Sequence, residues 1–111
     1  MALSRLAREF AAEIDNHDWN DAPYRLDRAG HKREHDGAGK QSVRVLDLQE
    51  TRFVKTNVMW VVAQVLGHAD PNFDIKDFAD ACGVAGMTEG TLRYGTRRDA
   101  EGKYTAPGGI G

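Results

Sequence analysis

The sequence predicts a mainly α fold, a small three-helix domain closed by a C-terminal β-hairpin. Three observations predict it. Apolar residues recur at helical spacing near the N-terminus, a long apolar stretch runs from Thr51 to Leu66, and DPNFDIKDFADACGV carries helix start and stop chemistry. At 111 residues, 41% hydrophobic and 29% charged, the chain has the size and composition of one globular domain spanning 1–111.

In the first element Leu3, Leu6, Ala7, Phe10 and Ile14 form one apolar stripe, with Arg5 and Glu9 a turn apart on the surface. The turn and cap residues of NHDWND end it near Asn16. Residues 17–26 lack periodicity, and their expected role is to pack Trp19 or Tyr24 against the core; a surface recognition patch is the second reading.

From Asp27 to Ser42 nothing can be buried: no large apolar residue occurs, and nine of the sixteen residues are charged or His. A mobile charged loop over 27–42 is expected. Ser42-Val43-Arg44-Val45 alternates like a short strand.

Asp47 and Glu50 have capping-box spacing and open a central helix. Val54, Val58, Val61, Val62 and Val65 form its main stripe, widened by Phe53, Met59, Trp60 and Leu66. Gly67 is expected to terminate it, with Pro71 beyond. Asp74 then caps a third helix, Phe73 and Phe78 are spaced as a hydrophobic staple, and Gly83 ends it. Leu92, Tyr94 and Thr96 alternate, Asp99 to Gly102 turns, and Lys103 to Thr105 returns, which predicts the hairpin. Residues 106–111 read as a frayed tail.

Function classes narrow by composition. A net charge of −2 gives no global attraction to nucleic acid or anionic lipid, so such binding needs a local basic patch. One cysteine, Cys82, rules out an internal disulfide and a cysteine zinc cluster, and it reads as a small buried thiol. The longest apolar run, Val58 to Ala63, is too short to span a membrane. Arg5, Glu9 and Glu13 interrupt the N-terminus, so a secretory leader is not expected and a cytoplasmic setting is.

His31-Lys32-Arg33-Glu34-His35 matches the H-x-x-E-H pattern of inverted zinc peptidases. That chemistry needs His31 and His35 on a rigid, core-anchored helix with a third ligand opposite. Here the motif lies between Gly30 and Gly37 with no apolar residue to anchor it, so metal and cofactor are both expected to be none. Phosphate-cradling glycine loops and a nucleophile elbow are absent from the sequence.

The segment FADACGVAGMTEGTLRYG resembles the helix-turn-helix family over residues 75–105. Ala79 and Gly83 have its small-residue and turn-glycine spacing, Val84 follows, Thr88 opens a recognition helix, and Leu92 lies near its end. The resemblance implies DNA contacts from Thr88 and Thr91, and from a wing carrying Arg93, Arg97, Arg98 and Lys103. Glu89 and Gly90 depart from the family pattern, and Asp74, Asp77 and Asp80 would repel a phosphate backbone. A second stretch, TNVMWVVAQVLGHADPNFDIKDFADACGV, resembles segments of small uncharacterised proteins in actinobacteria and their phages, which implies an accessory role through a host or virion partner.

The leading expectation is therefore a non-enzymatic protein-interaction module with a protein partner or self-association. Its candidate contact residues are Trp19, Tyr24, Arg25, Arg28, Lys32, Arg33 and Lys40. A small DNA-binding regulator using the degenerate winged unit comes second. A metal-dependent hydrolase at His31 and His35 comes a distant third.

Overall fold

The computed structural model describes residues 3–24 and 44–109. Those residues form four helices: α1 (Arg5–Asn16), α2 (Leu48–Ala69), α3 (Ile75–Ala81) and α4 (Glu89–Tyr94). The domain is mainly α as expected, with one helix more and no β-strand among the described residues. The predicted hairpin is replaced by α4 and a side-chain-braced turn, and Arg44 and Val45 are not in a strand. The 27–42 segment, Arg25 and both motif histidines lie outside the described residues.

α1 starts where Ser4 Oγ accepts the Ala7 N–H at 3.1 Å and stops at the predicted Asn16. Its buried face is Ala7, Ala11 and Ile14, packed on α2 and α3. Leu6 and Phe10 of the predicted stripe stay 57% and 41% exposed. The two alanines let the helices approach closely, and that rotates the larger residues toward solvent.

The capping box of α2 forms as its spacing requires: Asp47 Oδ1 accepts the Glu50 N–H at 2.7 Å, and Glu50 Oε1 accepts the Asp47 N–H at 3.0 Å. The face that α2 buries is the predicted valine stripe only in part: Val58 and Val62 pack against the core. Met59, Ala63 and Leu66 enter the core, whereas Val61 and Val65 remain 70% and 48% exposed. The partners decide the face: Met59 and Ala63 of α2 join Ala7 and Ala11 of α1 and Phe78 of α3 in one buried cluster.

Gly67 does not terminate α2, which runs to Ala69 with Asp70 as its C-cap. Its role is close approach, since a Cβ there would fall 2.4 Å from the Tyr104 ring. α3 keeps its expected ends. Asp74 Oδ1 accepts the N–H groups of Lys76 and Asp77, the Phe73 and Phe78 rings stand 5.3 Å apart, and Gly83 takes φ +81°. The Val84 N–H then reaches back to Ala79 O at 2.8 Å, closing the helix end. Phe78, Met59, Leu92 and Cys82 are the largest apolar side chains fully buried at the centre. No described helix is long and apolar enough to cross a membrane.

Candidate functional site

The site is built from α3, the turn after it, α4 and residues 95–105. Ala79 is fully buried, Gly83 makes the left-handed turn, and Val84 and Leu92 are 7% and 0% exposed. Thr88 caps α4, its Oγ1 accepting the Thr91 N–H at 3.2 Å. The residues that carry the helix-turn-helix resemblance lie on α3, on the turn after it and on α4. Two departures remain: α4 has only six residues, about 9 Å of helix, and residues 82–88 make a long turn.

The same stretch overturns the strand assigned to Leu92, Tyr94 and Thr96. On a strand those three would share a face, but Leu92 is buried and Tyr94 is 93% exposed. The Thr88 cap starts a helix that ends at the Trp60 side chain. Trp60 Nε1 donates to Leu92 O at 3.0 Å, and the indole fills the space beside Gly95.

Beyond α4, a turn replaces the hairpin. A single antiparallel bridge joins Arg98 and Tyr104, while Asp99 Oδ1 accepts the N–H groups of Glu101 and Lys103, each at 2.9 Å. Gln64 of α2 holds both limbs from beneath. Its Oε1 accepts the Arg97 N–H at 2.8 Å, and its Nε2 donates to Arg97 O and Thr105 O at 3.2 and 3.0 Å. Gln64 is 6% exposed, and these bonds satisfy its amide.

The basic residues of this unit divide into two kinds. Arg93, Arg97 and Lys103 extend from exposed positions. Arg98 is turned inward: its guanidinium stacks 3.6 Å from the Tyr104 ring centroid and donates to Thr96 Oγ1 and Gly102 O, each at 3.0 Å. Burial pushes the Tyr104 hydroxyl pKa up, against the pull of the adjacent Arg98 cation. An open cleft of about 500 Å³ lies beside them, between the N-terminal ends of α3 and α4. Asp74 and Glu89 line it together with Arg93 and Arg98, so neither sign of charge prevails there.

The other predicted surface is only partly described. Trp19 is a packing residue, its Nε1 donating to Ile14 O at 2.9 Å and its ring meeting His17 edge-on. Tyr24 is 38% exposed beneath the Arg44 guanidinium, 4.4 Å from its ring centroid. Arg25, Arg28, Lys32, Arg33 and Lys40 lie outside the described residues, as do His31 and His35. Among the described residues, no three His, Cys, Asp or Glu side chains gather as a metal site. Cys82 is fully buried, and desolvation pushes its thiol pKa up to about 12.

Two features escaped the sequence reading: the Gln64 bracket and the exposed valine face of α2. The first has no sequence signal, because a glutamine inside an apolar helix does not name its partners. The second is visible as spacing, but not as exposure. Comparison with protein-family models, curated proteins and solved structures finds no match to this chain.

Proposed function

We propose that this chain is a small, non-enzymatic cytoplasmic DNA-binding protein that uses α3, its turn and α4 as a reduced helix-turn-helix. The observation that carries the reading is the packing of one unit: Ala79, Val84 and Leu92 inside, Gly83 at the turn, and Thr88 at the head of α4. Thr88 and Thr91 face solvent at the start of α4, where a groove-reading helix presents its residues. Arg93, Arg97 and Lys103 supply phosphate contacts around it. Glu89, Asp99 and Glu101 temper that charge, so affinity for arbitrary duplex is weak and strongly salt-dependent.

Fluorescence anisotropy of the full chain with random duplex, at low and at moderate salt, tests this. Binding at low salt that falls steeply with added salt supports it. No binding at the lowest salt removes it.

A second reading, a protein-interaction module, is favoured by a separate observation. α2 leaves Val61 and Val65 exposed beside a groove of about 470 Å³ whose lining includes Trp60, Gly95 and Pro107. Exposed valines on such a groove, whose wall also carries Asn57, Gln64 and Arg97, offer a mixed apolar and polar contact surface. The contact face thereby moves from the Trp19–Lys40 region to α2, and both readings suit a small accessory protein. Loss of a specific photo-crosslink formed from α2 on Val65→Asp would support this reading. A chain that gives no crosslink from this face would count against it.

A further inference from the structure

We infer that the cleft between α3 and α4 binds a free α-amino acid, taking its carboxylate on Arg93 and Arg98 and its ammonium on Asp74 and Glu89. Such a site lies outside both readings above and shares only the Arg93 contact with the first. Its open space of about 500 Å³ is of the size that small-ligand clefts have.

The anion-binding end is made at Gly102, where two guanidiniums converge. Arg98 Nη1 donates to Gly102 O at 3.0 Å, and a Cβ at residue 102 would fall 2.5 Å from Arg93 Nη2. Gly102 holds φ +83° and leaves its Cα bare for Arg93 to lie against. Among the described residues no carboxylate pairs with either guanidinium. Arg98 Nη2 and the whole Arg93 head make no hydrogen bond there. Two cations drawn to one glycine favour an anion between them, and a planar carboxylate matches the guanidinium fork.

The carboxylates of the cleft stand apart from these cations. Arg5–Glu9 and Lys76–Asp80, each four residues apart on a helix, close ion pairs of 2.9 and 3.1 Å. Glu89 and Arg93 have the same spacing on α4 and form none, because Arg93 is laid over Gly102 instead. Asp74 spends Oδ1 on the α3 cap, and its Oδ2 bonds no described residue. The Tyr104 hydroxyl feels all four charges and makes no hydrogen bond to a described residue. The Phe73 and Tyr104 rings, edge-on at 6.1 Å, wall the cleft for an apolar side chain. A ligand of one charge would meet two like charges here, whereas a zwitterion satisfies both ends.

Amide NMR titration of the full chain with each proteinogenic L-amino acid in turn tests the site. At least one should bind with a dissociation constant of about 1 mM or below, saturably shifting the amides of residues 89–93 and 102–104. Its N-acetyl and its amide derivatives, each left with one charge, should bind at least about tenfold more weakly. Arg93→Gln and Glu89→Gln should each weaken binding by at least about tenfold, with an unchanged helical circular dichroism spectrum. Arg97→Gln, outside the cleft, should leave the affinity unaltered. A derivative that binds as well as its parent overturns the zwitterion site, as does unaltered affinity in both cleft variants. No saturable shift with any amino acid, or shifts confined to other residues, overturns it too.

Discussion

Trp60 and Gly95 occupy one site between them: a Cβ at residue 95 would lie 2.1 Å from Trp60 Cε2, so the indole stands where a side chain would project. The Trp60 Nε1 bond to Leu92 O fixes the ring there and ties α4 to α2. Gly95→Ala should therefore cost about 1–3 kcal/mol by overpacking. Gly90→Ala, whose nearest contact would be Thr88 Oγ1 at 3.9 Å, should stabilise by up to about 1 kcal/mol through helix propensity. Urea midpoints of the two variants should move in opposite directions, and equal shifts would refute the contact.

Gln64→Leu should destabilise by about 1–3 kcal/mol, because it strands the Arg97 N–H and leaves Arg97 O and Thr105 O without the amide donor. Hydrogen exchange should quicken at the Arg97 and Thr105 amides before it does in the core of α2. Uniform acceleration throughout the chain would argue against a local bracket.

Arg97→Ala and Arg98→Ala should behave differently despite being neighbours. Arg97→Ala should lower duplex affinity and reduce the dependence of log affinity on log salt by about one, with little loss of stability. Arg98→Ala should lose the Tyr104 stack, worth about 0.5–2 kcal/mol, and melt earlier. Anisotropy titrations and thermal melts of both variants give the comparison. Equal effects on binding, with no melting difference, would contradict the division.

Cys82 should resist alkylation in the folded chain at pH 8, reacting at least about tenfold slower than in denaturant. Its folded pKa, near 12, lies above the ordinary 9.0, so the contribution to stability is complete below pH 9. Above that, only the unfolded chain releases the thiol proton, and stability falls as pH rises from 9 toward 12. Cys82→Ala should flatten that part of the curve when urea midpoints are measured across the range.

Local chemistry made several features legible in the sequence. The end of α1, the Asp47–Glu50 box, the Phe73–Phe78 staple and the Gly83 turn each depend on residues a few positions apart. A helix opening at Thr88 is expected only through the helix-turn-helix resemblance and not through periodicity, because the six residues of α4 complete fewer than two turns, too few for a period to register. The buried face of α2 was not legible for another reason. With apolar residues almost all round, the helix has no strong preference of its own, and the shape of α1 and α3 makes the choice. Gly67 misled because a glycine late in a helix reads as a stop, whereas Tyr104 needs it as a gap. Of the candidate site, the basic residues were visible by type. The inward turn of Arg98 depends on a ring six residues away.

The Gln64 bracket also sets an order of assembly. Its partners Arg97 and Thr105 lie 33 and 41 residues downstream, and the Trp60 bond to Leu92 spans 32. A nascent chain that has reached the end of α2 therefore carries a glutamine amide and an indole N–H with no native acceptor yet synthesised. α1 and α2 can pair at that stage, but the polar side of α2 stays hydrated until residue 105 is made. Closing such distant contacts slows folding. Residues 97–105, made well after α2, are thus the ones that lock the central helix.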